Sequence, residues 1–440
     1  MAFIRCIVPG LLLALNLTAA DPGRPNIVFI LADDLGWADI GYQSPDTRTP
    51  NLDRLAAEGV RLNRHYVYPT CSPTRVGLIS GRYPSRYNVL GPLGATTLMP
   101  GGDAHLPQEL RNLGYSTHIS GKWHIGETPE NRPLRYGFST TYGYFRGQID
   151  PYTHRYKHGN HVTWHRNDEF VEEDGHVTRL ITDEAIRVIE SAGNRPFFLY
   201  VAHHAPHYPH NEPPEWIEPY EKTIPDVWRR HNAASIMHLD HHVGRLVDAL
   251  DRTGERKNTL IVFSSDNGGQ EKWPASQNEY DGRYAPHTTL GNNLPLRGWK
   301  ADLYEGGIRV PAFANWPGVL PRGGVLESPL HITDWAPTFI TLAGGKLKAE
   351  WQLDGANIWE LLSQKQETLG ERTFYWKTSL ASAVRKGDWK LIRHRSGERV
   401  ELFDVRRDPY EKNELSANES QKVAELKALM ERIAQADRTR

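Results

Sequence analysis

At 440 residues the chain exceeds the roughly 250 that one hydrophobic core usually organises, so a large domain with a smaller companion is the expected plan. Lys and Arg number 52 against 53 Asp and Glu, a formal charge of -1, whereas a nucleic-acid binder carries a clear basic excess. That balance excludes a global polyanion surface. Attraction for an anionic substrate has to be local, from a few converging Lys, Arg and His side chains.

The chain opens with the layout of an export leader: Arg5, an apolar stretch running through Leu11-Leu12-Leu13-Ala14-Leu15, and a small-residue end at Thr18-Ala19-Ala20. Residues 1–20 are therefore expected to be removed, giving a mature chain that starts near Asp21. Its apolar part is too short to span a bilayer, and no later run of about 18 apolar residues follows. The expectation is an exported protein, periplasmic or secreted, with no membrane span in the mature chain. Of the two cysteines, Cys6 leaves with the leader and Cys71 stays without a disulfide partner. A lone thiol in an oxidising compartment is either buried and inert or kept for chemistry. The lack of paired cysteines also suits a bacterial origin.

Asn26 to Ala32 is a near-continuous run of branched and aromatic residues, as in a strand buried on both faces of a parallel sheet, and it ends in Asp33-Asp34. Asn51 to Gly59 reads as a helix with Gly59 as its terminator. A weaker strand, Tyr115 to Ser120, runs into Gly121-Lys122-Trp123-His124. Thr128 to Val177 shows little periodicity, and Thr182 to Ser191 has helical spacing. Pro196 to Ala202 is a third strand, leading into His203-His204-Ala205-Pro206-His207-Tyr208-Pro209. After a helix over Ala233 to Leu250, a fourth strand, Thr259 to Ser265, ends in Asp266-Asn267-Gly268-Gly269. Gln270 to Leu296 is again a long aperiodic stretch, of the kind that is often functional. Past about Gly344 the segments Ala381 to Arg393 and Val400 to Val405 alternate as antiparallel strands do, and Lys422 to Ala434 has helical spacing.

Strands alternating with helices predict an α/β fold. The expected architecture is a large mixed, mostly parallel sheet flanked by helices over residues 21–345, with a smaller C-terminal antiparallel sheet and helix over 346–440. Ligands of such sheets bind beyond the carboxyl ends of the strands, where the four polar clusters gather. Asp33, Asp34, Asp266 and Asn267 offer four oxygen-bearing side chains from two strand ends, a set suited to a hard cation such as calcium. The competing reading makes Asp33-Asp34 a helix cap and Asp266-Asn267-Gly268-Gly269 a tight turn.

Cys71-Ser72-Pro73-Thr74-Arg75, extended by Ser80-Gly81-Arg82, resembles the signature of the formylglycine-dependent sulfatases of the alkaline phosphatase superfamily, in their arylsulfatase A and B branch. Arg385-Lys386-Gly387-Asp388-Trp389-Lys390 and the stretch from Leu402-Phe403-Asp404 to Asp408-Pro409 extend the resemblance over nearly the whole mature chain. It implies that a maturation enzyme converts Cys71 to formylglycine (3-oxoalanine), and that Asp33, Asp34, Asp266, Asn267 and residue 71 bind Ca2+. It also implies that a hydroxyl of the hydrated aldehyde attacks sulfur. His124 is then the base that lets the aldehyde re-form as sulfate leaves, while Arg75 and Lys122 hold residue 71 and the developing charge. His207 and Lys300 are the implied proton donors to the leaving alcohol, His207 being preferred to His204 because His207-Tyr208-Pro209 resembles the family's His-x-Pro spacing. Lys122, His207, Lys300 and His154 are the implied contacts to the substrate, a sulfated carbohydrate or an aryl sulfate. Arg132, Arg135 and the tryptophans Trp164 and Trp273 of the long loops are candidates for sugar contact. Two other readings stand beside this one: a phosphonate or phosphate-ester hydrolase of the same superfamily, and a non-catalytic sulfated-glycan binder.

Overall fold

The computed structural model describes residues 24–94, 105–274, 278–286, 290–395 and 399–438, so the expected leader 1–20 lies outside the described residues. Sixteen strands and ten α-helices are described. The strands are β1 (Asn26–Ala32), β2 (Val60–Leu62), β3 (His65–Tyr66), β4 (Ser116–Lys122), β5 (Thr140–Tyr144), β6 (Trp164–Arg166), β7 (Glu169–Phe170), β8 (Phe197–Ala202), β9 (Thr259–Ser265), β10 (Ala312–Asn315), β11 (Gly324–Leu326), β12 (Leu330–His331), β13 (Thr373–Lys377), β14 (Ala381–Lys386), β15 (Trp389–His394) and β16 (Val400–Asp404). The helices are α1 (Pro50–Ala57), α2 (Cys71–Ser80), α3 (Leu106–Asn112), α4 (Val177–Ser191), α5 (Pro214–Ile217), α6 (Val227–Arg252), α7 (Glu305–Ile308), α8 (Trp335–Leu342), α9 (Trp359–Leu362) and α10 (Ser420–Arg438).

Ten strands form the main sheet in the order β11-β2-β10-β9-β1-β8-β4-β5-β6-β7. The central block β9-β1-β8-β4-β5 is parallel throughout, and the antiparallel pairings lie outside it. β1 explains why its sequence lacks polar alternation: Ile27, Phe29 and Leu31 enter one apolar core while Val28, Ile30 and Ala32 enter the other, on the opposite face. The second core is closed by α1, α4 and α6 through residues such as Leu52, Ile181, Leu239 and Val243. β4 and β8 approach so closely that a Cβ on Gly121 would meet the Ala202 carbonyl oxygen at 1.8 Å, and Gly121 takes a φ of +118°.

The four strands expected from the sequence are all present, three with at most one residue trimmed and the second displaced toward Lys122. The aperiodic stretch 128–177 differs from expectation, because it contains β5, β6 and β7. These are two to five residues long, and a run that short shows too few alternations to register. α2 also escapes a periodicity search, since all ten of its residues are buried and it has no polar face. The C-terminal alternation resolves into the antiparallel sheet β13-β14-β15-β16, with Gly387 at φ +57° turning β14 into β15. α10 packs against β14 and β15. Phe374, Trp376, Leu391 and Leu402 of this sheet share one apolar core with Phe29, Tyr66 and Trp335 of the main body. Among the described residues no helix is long and apolar enough to cross a membrane.

Candidate active site

The carboxyl ends of the parallel strands supply the site. β1 runs out into Asp33 and Asp34, β4 into Lys122 and His124, β8 into the segment carrying His207, and β9 into Asp266 and Asn267. α2 begins at Cys71, so the unpaired amides of its first turn face the same space with the positive end of the helix dipole. Gly81, at φ +65°, caps its other end.

Cys71 is the free cysteine among the described residues and is buried. Its Sγ lies 3.5 Å from Asp33 Oδ1. Burial, and then the Asp266 carboxylate, push the thiol well above its usual pKa, so as a thiol it is a poor nucleophile. Asp33 also receives Lys122 Nζ at 2.5 Å. Asp34, in the left-handed region at φ +67°, receives Lys300 Nζ at 2.7 Å from both carboxylate oxygens and the Asn267 amide nitrogen at 2.7 Å. Asp266 accepts the Arg75 guanidinium at 2.7 Å and the Asp34 backbone N–H at 3.2 Å. Arg75 further donates to the Lys122 carbonyl at 2.9 Å and the Tyr200 hydroxyl at 3.3 Å. Three carboxylates thus alternate with three cations in a buried cluster. Burial opposes the charge on Lys300, but Asp34 foremost overrides it and holds the ammonium above the usual lysine pKa.

His207 Nε2 lies 3.7 Å from Asp34 Oδ2, while its Nδ1 hydrogen-bonds the Tyr208 carbonyl. His124, at φ +55°, is held by the Leu93 carbonyl at 3.1 Å from Nε2, and its Nδ1 is buried without a hydrogen-bond partner. Gly147 is required beside it, since a Cβ there would lie 2.6 Å from the His124 ring. Burial first, then Lys122 and Arg75 for His124 and Lys300 and Lys122 for His207, hold both imidazoles well below the usual histidine pKa. His204 lies one ring away, 5.7 Å centroid to centroid from His207, with its Nε2 unpartnered.

The donors fit a cation. Oxygen and sulfur atoms of Asp33, Asp34 and Cys71, with a His207 nitrogen, lie within 4.8 Å of one another. Asp266 and Asn267 join that group through their bonds to Asp34 and Arg75, and Asn267 Oδ1 is buried with no hydrogen-bond partner. A buried amide oxygen left bare beside three carboxylates matches the oxygen-rich coordination of calcium.

His154 sits elsewhere. At φ +55° it bonds the Gly175 carbonyl at 3.0 Å and stacks on Trp164 at 4.6 Å. It borders a cavity of about 590 Å³ with Tyr152, Asn160 and Glu172, and among the described residues no hydrogen bond links it to the Cys71 cluster. Arg132 is spent on the carbonyls of Glu127 and Asp168 under the Phe145 ring, Arg135 donates to the Pro129 carbonyl, and Trp164 is buried in the core. Trp273 stacks on Tyr208 at 4.7 Å, 6.0 Å from the His207 ring, and the Lys157 ammonium lies over the indole at 5.6 Å. Sequence reasoning missed Tyr200, Leu93 and Thr74, whose hydroxyl donates to the Asp266 carbonyl at 2.6 Å. Tyr200 lies inside a fully buried strand and Leu93 acts through its backbone, so neither has a side-chain signal; Thr74 lies within the Cys71 motif itself.

Comparison with known proteins shows a match to the Sulfatase family model over residues 25–345 and to the N-sulphoglucosamine sulphohydrolase C-terminal model over 298–439. Mouse (Mus musculus) arylsulfatase J is 33% identical, covering 96% of this chain and 77% of that protein. Mouse N-acetylgalactosamine-6-sulfatase is also 33% identical, covering 86% of this chain and 74% of that protein. The crystal structure of Ps i-CgsB in complex with k-i-k-neocarrahexaose superposes with a TM-score of 0.84 at 30% identity, covering 94% of this chain and 93% of that one.

Proposed function

The chain belongs to the sulfatase family and is a sulfuric ester hydrolase, and from this premise we propose that it removes sulfate from a sulfated carbohydrate, with residue 71 as formylglycine and calcium as its metal. The observation that carries the reading is the buried cluster in which Cys71, three carboxylates and three cations meet at the N-terminus of α2. Asp33, Asp34, Asp266, Asn267 and residue 71 would hold the calcium ion, which supplies Lewis-acid polarisation of the sulfate group. Conversion of Cys71 to an aldehyde, hydrated to a gem-diol, would supply a hydroxyl nucleophile that the neutral, buried thiol does not.

The chain's own side chains do the rest. Arg75, fixed by Asp266, Tyr200 and the Lys122 carbonyl, orients residue 71. Lys122 and Lys300 face the sulfate position as preorganised cations. His124, anchored through Nε2, has its bare Nδ1 to accept a proton from residue 71. His207 uses Nδ1 on the Tyr208 carbonyl, which leaves Nε2 as the nitrogen that exchanges a proton with the departing sugar oxygen. The carbohydrate assignment is supported by the sugar named in N-acetylgalactosamine-6-sulfatase and by the neocarrahexaose in complex with Ps i-CgsB. A cavity of about 490 Å³ beside Lys300, walled by Thr70, Pro92, Trp299 and Ala301, offers room for a sugar.

Mass spectrometry of the peptide spanning residue 71, paired with turnover of an aryl sulfate and a panel of sulfated glycans, tests the reading. The expected result is a mass loss equal to thiol-to-aldehyde conversion and hydrolysis that outpaces that of the matched phosphate esters. Full activity with an unmodified thiol would overturn it; tight glycan binding without hydrolysis would make the chain a binder instead. We also propose export to a periplasmic or extracellular compartment after loss of residues 1–20, on the leader pattern around Arg5 and Ala19-Ala20. A mature N-terminus near Asp21 on the purified protein is the expected finding.

A further inference from the structure

A second cluster of metal-binding side chains lies apart from Cys71, on the helical side of the sheet. His176 is the N-cap of α4, Glu212 lies in the segment between β8 and α5, and His238 is in α6. All three are buried, at 5%, 7% and 3% exposure. One donor atom from each falls within 4.8 Å of the other two. Glu212 Oε2 is 2.6 Å from His238 Nδ1 and 3.5 Å from His176 Nε2, and that His176 nitrogen has no hydrogen-bond partner. Among the described residues no Lys or Arg forms an ion pair with Glu212, so this buried carboxylate is held by the two imidazoles and the Ser235 hydroxyl.

From this geometry we propose that His176, Glu212 and His238 form a binding site for a divalent transition-metal ion of the zinc class. Two imidazole nitrogens and one carboxylate oxygen form a three-ligand zinc set that keeps a fourth position open, and they are too few oxygens for calcium. His176 and His238 border a cavity of about 560 Å³ together with Tyr152, Trp216, His241 and His242. Trp216 stacks on the His238 ring at 4.7 Å and 15°, which fixes the ligand's orientation.

Loading requires the ligating nitrogen of each ring to be free of its proton. His238 gives up its proton at Nδ1 and carries it at Nε2. His176 Nδ1 accepts the Thr178 backbone N–H at 3.2 Å, so its proton sits on Nε2. Metal at Nε2 shifts that proton to Nδ1 and ends the Thr178 contact, which couples binding to the first turn of α4. The ion ties α4 and α6 to the segment that also carries His207, a structural role independent of sulfate chemistry.

The test uses the full chain saturated with Ca2+ and titrated with Co2+ as the spectroscopic probe. Expected are one equivalent bound, the intense visible band of a four-coordinate ion, and a higher unfolding temperature. His238→Ala and Glu212→Gln should each weaken Co2+ binding by more than the ~10–100-fold that losing an outer hydrogen bond costs a metal site. Asp34→Asn should leave the band in place. Absence of the band, indifference to both ligand variants, or loss of the band in Asp34→Asn would overturn the assignment. Should His238→Ala not fold, anomalous diffraction from zinc-soaked wild-type crystals decides: a peak between the three side chains supports the site, and none there refutes it. No readout depends on hydrolysis, so failure here leaves the sulfatase reading intact.

Discussion

Two buried charge clusters of this molecule do opposite things. Around Cys71, Asp33, Asp34 and Asp266 face Arg75, Lys122 and Lys300, yet Asn267 Oδ1, His124 Nδ1 and Arg75 Nε remain without hydrogen-bond partners. Where the C-terminal sheet meets the main body, Lys390 of β15 sits 3.0 Å from Glu305 and 2.8 Å from Glu411. There Glu305 also takes the Tyr66 hydroxyl at 2.7 Å, and its own N–H donates to Glu411 at 2.7 Å. The second cluster pairs its charges within the chain and joins two sheets, with Glu411 Oε1 held by its ion pair to Lys390 and no hydrogen bond. The first leaves polar atoms on three residues unmatched, as a site does when its final partners come from outside the chain.

The sharpest way to probe that contrast is Cys71→Ala. It should lower kcat/KM on an aryl sulfate by roughly 10⁴-fold or more, while thermal unfolding shows no loss of stability. Calcium chelation should abolish turnover and calcium add-back restore it, measured on the same ester. His207→Ala should cost roughly 10²–10⁴-fold on a sugar sulfate and far less on a nitrophenyl sulfate, whose leaving group needs no proton. An equal loss on both substrates would remove His207 from the acid role.

The Lys390 cluster should behave in reverse. Lys390→Ala removes the cation paired with Glu411 and one of the two paired with Glu305, and should cost about 3–5 kcal/mol in denaturant unfolding, with kcat per folded molecule unchanged. Were Cys71→Ala the more destabilising of the two, the division between a working and a structural cluster would collapse. The smallest effect concerns pH. Burial pushes Glu411 up to about 7, against the pull of Lys390, from a usual 4.5. Its contribution is therefore fully present below about pH 4.5 and is lost as pH rises through about 7. Glu411→Gln should flatten that decline in unfolding temperature across this window.

Much of the site is legible in the amino-acid sequence because of where it sits. β1, β8 and β9 are buried on both faces, so each reads as an unbroken apolar run, and the polar residue that ends it marks a strand terminus. Asp33, Asp34, Asp266 and Asn267 follow directly, and Lys122 and His124 follow from the weaker β4. The helix that presents Cys71 is illegible for the same cause, since total burial erases its amphipathic period. β2, β10 and β11 are too short to alternate visibly, although they build one side of the sheet.

Local chemistry along the chain is enough to nominate candidate groups: a partnerless thiol, paired acids after strands, and a lysine and histidines in short polar runs. Folding alone decides which of those groups meet. Asp34 bonds Lys300 across 266 positions and His238 meets Glu212 across 26, while His154 turns to Trp164 and Gly175. Composition and spacing encode burial and period, both local properties. The pairing of side chains from different strand ends depends on sheet order, and sheet order is set by packing over the whole chain.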